Sequence, residues 1–135
     1  MAFQLSVAVR NARLDAIETA IGASAVLKIR TGAPPANCAA SVSGTVHATL
    51  ALPADWMAGA SGGTKALAGT WQDASADAAG TAAHFRLYAS DGTTCHAQGT
   101  VTATGGGGDM TVDNTNFAAG QSFSVSSFTL TEGNA

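Results

Sequence analysis

Residues 84–101, HFRLYASDGTTCHAQGTV, bring two histidines and a cysteine into one short stretch. Imidazole nitrogen and thiolate sulfur are zinc ligands, so half of a metal site is the first chemistry to test. Asp91-Gly92 at its centre is a strong hairpin signal. Residues paired across an antiparallel hairpin share a face. A two-residue loop would pair Tyr88 with Cys95 and turn Cys95 and Ala97 away from Phe85 and Leu87. A three-residue loop, Asp91-Gly92-Thr93, pairs Ala89 with Cys95 and Leu87 with Ala97, which matches the apolar sets. That register, with a glycine-dependent bulge, is the expected one. It turns Cys95 inward and leaves His84, Arg86, Tyr88 and His96 outward. At about 3.3 Å per residue the two histidines then stand on the order of 13 Å apart. Zinc holds its ligands at about 2 Å, so one ion cannot join them. His47 belongs to a different strand. The expectation is surface or interface histidines and no metal.

Other candidate motifs are weaker. GGGG (105–108) lacks the Gly-Lys-Ser/Thr ending and following helix of a phosphate loop, and reads as a turn. Asp73 with Asp77, and Asp109 with Asp113, offer carboxylates four apart. Such pairs could line a calcium site, but there is no EF-hand spacing and they read as solvated loops. There is no Gly-x-Ser-x-Gly elbow, no Cys/His pair placed for nucleophilic work, and no aromatic-lined acidic pair for glycoside hydrolysis. The chain is therefore expected not to be an enzyme and to need no cofactor.

The elements that would carry these residues follow from periodicity. Residues 6–21, SVAVRNARLDAIETAI, have helical spacing in Val7, Leu14, Ile17 and Ile21, widened by Ala16 and Ala20. Ser6 suits an N-cap and Gly22 the position past the helix end. Arg10, Arg13, Asp15 and Glu18 fall on the other face. Beyond Gly22 the period becomes two. Strands are predicted over 25–31, 45–52, 66–71, 83–89, 94–104, 110–114 and 121–133. In the second, Val46, Ala48, Leu50 and Leu52 point inward and His47 outward. Pro34-Pro35 marks a loop, and 53–65 reads as a loop carrying Trp56. In the last strand the apolar phase slips between Val125 and Phe128, which predicts a bulge or bend at Ser126-Ser127. Short strands separated by turns argue for an antiparallel, jelly-roll-like β-sandwich over 23–135, preceded by one helix within 1–22.

Composition bounds the partners. A chain of 135 residues reads as a single domain, 1–135. Its hydrophobic fraction is 46% and its charged fraction 11%, against roughly 25% charged in ordinary soluble domains. Abundant Ala, Gly, Ser and Thr with little charge suit a surface partly covered by neighbours. The net charge is -3 and the basic residues are scattered, so no nucleic-acid footprint is expected. No apolar run is long enough to span a membrane. Arg10, Arg13, Asp15 and Glu18 interrupt the apolar stretch that a signal peptide needs, so synthesis in a cytoplasm is expected. Cys38 and Cys95 read as free thiols in that compartment. They remain a possible disulfide if the strands bring them together in an oxidising medium.

Three segments together carry a resemblance: NARLDAIETAIGASAVLKIRTGAPPANCAA, GTWQDASADAAGTAAHFRLYASDGTTCHAQGTV and GGGGDMTVDNTNFAAGQSFSVSSFTLTEGNA. They span nearly the whole chain. It resembles a family of small proteins encoded in the structural-gene regions of tailed bacteriophages and prophages. The resemblance implies a virion component and supplies no catalytic residue. The expected role is a capsid decoration, or cement, protein: a homo-oligomer binding the major capsid protein or other virion proteins and stabilising the mature head. The expected contact elements are Arg10, Arg13, Leu14 and Ile17 on the helix, with Trp56, since aromatics and Arg are favoured anchors. The other expectation is a tail- or fibre-associated module that binds a host receptor or connects tail components. Its working surface would be the hairpin tips, Asp91, Gly92, Thr93 and the Gly105 to Asp109 turn.

Overall fold

The computed structural model describes residues 3–133. It is mainly strand, with one N-terminal helix, α1 (Val7–Ile21). Ser6 caps the helix by accepting from Val9 N, and Gly22 N closes the far end on Glu18 O. The strands are β1 (Val26–Arg30), β2 (Val46–Ala51), β3 (Thr64–Ala66), β4 (Trp71–Asp73), β5 (Gly80–Thr81) and β6 (His84–Tyr88). They continue as β7 (Cys95–Ala103), β8 (Met110–Val112), β9 (Asn116–Phe117), β10 (Phe123–Val125) and β11 (Thr129–Thr131).

The main sheet runs β2-β1-β6-β7-β8, and the rest forms three two-stranded ribbons, β10-β4, β11-β3 and β5-β9. Two details depart from an all-antiparallel pair of sheets. β8 lies parallel to β7, pairing Val101 with Met110 and Ala103 with Val112. The second layer is divided among ribbons because the predicted strand 66–71 breaks into β3 and β4, either side of Gly69.

Parallel neighbours usually need a crossover of a dozen or more residues. Here Thr104–Asp109 suffices, and this is the use of GGGG. The chain folds back against β7, where Gly108 N donates to Thr102 Oγ1 and Asp109 N to Thr100 Oγ1. A Cβ on Gly106 would stand 2.7 Å from the Thr102 side chain, and one on Gly108 2.9 Å from it.

The predicted bend at Ser126-Ser127 is present and is large. β10 pairs with β4, whereas β11 pairs with β3. One phase slip thus sends the C-terminal segment to two partners.

The core lies between the main sheet and the ribbons. Leu27, Ile29, Ala48, Leu50, Phe85 and Leu87 are buried on the sheet side. Trp56, Trp71, Phe128 and Phe85 form a chain of rings with successive centroids 6.0, 5.7 and 5.8 Å apart. Trp56 Nε1 donates to Gly22 O, and Trp71 Nε1 to Trp56 O. A few large rings thereby supply the volume that a small-residue composition lacks.

The opposite face of the sheet is also covered, contrary to expectation. His84, Arg86 and Tyr88 are buried along with Phe85 and Leu87. The segment 31–45 lies over them and supplies carbonyls. Arg86 Nη2 donates to Cys38 O at 2.6 Å and Arg86 Nη1 to Ala40 O. Gln98 Nε2 donates to Pro35 O, and His84 Nδ1 stands 2.7 Å from Gly32 O. A proline-containing loop has spare carbonyls, and a cationic sheet face needs acceptors.

Candidate interaction surface

The hairpin keeps its histidines and cysteine apart. β6 and β7 pair Leu87 with Ala97 as expected, but Tyr88, not Ala89, pairs with Cys95, across a bulge. His96 is the extra residue. Cys95 accordingly joins the Arg86 side of the sheet, half-buried, with Arg86 Nε 3.2 Å from its sulfur. His96 is exposed, and His84 is fully buried rather than outward. His47 is buried too, its ring centroid 3.7 Å from that of Phe117. It is the unpaired residue where β1 and β2 slip register between Ile29 and Arg30. Burial lowers the pKa of both imidazoles. Arg30 and Arg86 lower that of His84 further, against the Gly32 carbonyl. No group of three or more metal-ligating side chains occurs among the described residues.

The carboxylates serve local structure. Asp91 Oδ1 accepts from Thr93 N and Thr94 N, and Asp91 Oδ2 from the Thr94 hydroxyl. Those bonds, led by the Thr94 hydroxyl, hold its pKa well below the usual carboxylate range. Asp109 Oδ2 accepts from Thr100 N and the Thr100 hydroxyl. Asp73 and Asp77 converge on Thr49, one accepting its N–H and the other its hydroxyl.

Cys38 and Cys95 are both reduced and half-buried. They are nonetheless neighbours. Burial raises the Cys38 pKa, and a hydrogen bond with the Cys95 thiol raises it further.

The helix is the unusual surface. Its inner side is largely polar. Arg10 Nη1 donates to Glu132 O, and Asn11 Oδ1 accepts from Gly63 N. Asp15 and Glu18 both bind Lys65 Nζ, at 2.7 and 2.8 Å. Leu14 and Ile21 are its buried apolar residues. Leu14 and Trp56 are therefore parts of the domain's own interior, not exposed contact residues. Arg10 is half-buried and spent on Glu132 O. Of the five predicted contact residues, Arg13 and Ile17 stay exposed, Arg13 bridging to Glu132 at 2.8 Å. Much of the outer side is aliphatic: Ala8, Val9, Ala12, Ala16, Ile17 and Ala20 face solvent, beside Arg13, Asp15 and Thr19. Of the apolar stripe read from the sequence, Leu14 and Ile21 are buried, whereas Val7 and Ile17 stay exposed. Sequence reasoning missed Lys65, whose buried ammonium is met by two carboxylates of the helix. A lysine between Thr64 and Ala66 in a short strand was the available signal.

Neither a family model, nor a curated protein, nor a solved structure matches this chain.

Proposed function

We propose that this protein is a structural component of a tailed-phage virion, most concretely a decoration protein that binds the mature head. The carrying observation is the aliphatic part of the helix that faces solvent. A small domain ordinarily turns a helix's aliphatic side chains inward. Here Leu14 and Ile21 are inward, but Val7, Val9 and Ile17, with Ala8, Ala12, Ala16 and Ala20, stay outside, on a chain with few charges, as expected of a surface that another protein covers. The ring-filled core between a main sheet and three ribbons is, in this reading, a distorted β-sandwich serving as a rigid platform. Repetition over a symmetric shell lets weak individual contacts add. Binding the mature shell and not its precursor stabilises the mature form by linkage. The resemblance to phage structural-region proteins supports the same reading.

Gold-labelled antibody on purified virions tests it. Label spread over the head, with release of the protein destabilising heads to heat, is the expected result. Label confined to the tail would replace it with the tail- or fibre-module reading. Absence from virions would remove both.

A further inference from the structure

Residues 31–45 cover one face of the main sheet without joining it. The segment contains no strand and carries no charged side chain. Its ends are tied together, Thr31 N donating to Thr45 O and Thr45 N to Thr31 Oγ1. A compact surface segment with closed ends is an Ω-loop. None of its residues is buried, and Val42 is 55% exposed. Hydrogen bonds therefore hold it down. Gly32 O meets His84 Nδ1, Pro35 O accepts from Gln98 Nε2, and Gly44 O accepts from Arg30 Nη1. A segment with few buried apolar contacts opens locally at low cost.

The centre of the cover rests on Arg86. Nη1 donates to Ala40 O, Nη2 to Cys38 O at 2.6 Å, and Nε to Cys95 Sγ at 3.2 Å. Nε and Nη2 form one edge of a rigid planar fork, so their two acceptors are held side by side. One acceptor belongs to the cover and the other to β7. The chain has two cysteines, and both meet at this edge. Burial, and then the nearby Cys95 thiol, raise the Cys38 pKa, in keeping with that proximity. Among the described residues no carboxylate forms an ion pair with Arg86. Lifting the cover returns this guanidinium to water, and its hydration offsets the hydrogen bonds lost.

We propose that Cys38 and Cys95 are a reversible disulfide latch that fastens the covering segment to β7. Reduced, the cover is held by hydrogen bonds and opens locally. Joined, it is held by a covalent bond at its centre. Arg30, His84 and Arg86 lie beneath it, all buried, so the latch governs access to this cationic face.

The oxidant is a low-molecular-weight disulfide of the glutathione class. One protein thiolate attacks it, forming a mixed disulfide and releasing one small thiol. The second protein thiolate attacks the protein sulfur of that mixed disulfide. This forms the Cys38–Cys95 bond and releases the other small thiol. The two protein thiols give up two electrons and two protons, and the external disulfide takes up both. A small dithiol reverses the exchange. Reducing conditions thus leave the latch open and an oxidising medium closes it. It needs no partner and stands apart from the virion reading.

Limited proteolysis of the full chain with a broad-specificity protease, mapped by mass spectrometry, tests the latch. After dithiothreitol, the first cuts should fall within 31–45. After glutathione disulfide, the chain should be lighter by two hydrogens and be cut there at least about tenfold more slowly, because cleavage follows the population of the open segment. Dithiothreitol should restore the faster rate. Both cysteines are half-buried, so the double variant Cys38→Ser, Cys95→Ser should fold. It should be cut at the reduced rate with or without oxidant. Mixed disulfides that persist, disulfide-linked dimers, or a closed disulfide that leaves cleavage within 31–45 unchanged would each overturn the proposal.

Discussion

Lys65 Nζ stands 2.7 Å from Asp15 Oδ1, with only 2% of the lysine side chain exposed. A second carboxylate, Glu18, closes the pair into a triad at 2.8 Å, and Ala58 O accepts from the same ammonium. This contact, more than aliphatic packing, fixes which side of α1 faces the domain. Lys65→Met leaves two neighbouring carboxylates without their cation and should cost roughly 2–4 kcal/mol in urea unfolding. Asp15→Asn, on the half-exposed partner, should cost much less. Equal losses would mean that the triad acts through Asp15 and not through the buried lysine.

Acid should weaken the same dock. The hydrogen bond from Lys65, then that from Ala60 N, lowers the Asp15 pKa below 3.8. A lowered carboxylate pKa contributes stability that is full above the unfolded value and lost as pH falls through the folded one. Hydrogen-exchange protection factors of the α1 amides should therefore fall below about pH 4, and Asp15→Asn should abolish that fall.

A second pH effect lies nearer neutrality. His47 and His84 are buried and their pKa values are lowered from 6.5, first by burial. The unfolded chain then binds protons that the folded one refuses, so stability falls as pH drops below 6.5 toward the folded values. The slope reaches at most about 1.4 kcal/mol per pH unit for each proton taken up. Unfolding midpoints between pH 7.5 and 5 should show it, and His84→Gln should flatten it. A flat profile in the unmodified protein would show that the imidazoles reach solvent.

Cys38 sits on the covering segment and Cys95 on β7, near enough for the Cys95 thiol to add to burial in raising the Cys38 pKa. Mild oxidation should join them within one chain. The closed loop of about 57 residues predicts about 4 kcal/mol of stabilisation from the restricted unfolded state. Thiol titration, the loss of two hydrogens by mass, and a rise in melting temperature reversed by dithiothreitol would register it. Two thiols still titratable after oxidant would show that the pair cannot reach bonding geometry.

Gly44 ends the covering segment at φ +69°, and a Cβ there would stand 1.9 Å from Thr31 O. Gly44→Ala should lift this end of the cover, which also accepts from Arg30. A loss of about 2–3 kcal/mol, with faster alkylation of Cys38, is expected. Unchanged Cys38 reactivity would place the cover's hold entirely at Arg86.

The sequence by itself determined the elements that local chemistry controls. Helical spacing with Ser6 and Gly22 set α1 nearly to the residue, because capping bonds reach only a turn away. Asp91-Gly92 set the hairpin, and the phase slip at Ser126-Ser127 marked the bend, since both are backbone events within a few residues. The face that each element shows was settled at longer range. His84, Arg86 and Tyr88 alternate with Phe85 and Leu87 as a half-exposed strand would, yet carbonyls from a distant proline loop bury them. Asp15 and Glu18 of the helix are tied to Lys65, some fifty positions along the chain, which is buried beneath them. The C-terminal segment divides between two partners, β10 on β4 and β11 on β3. Periodicity records where a side chain points along its own element; the tertiary fold alone decides what stands opposite it.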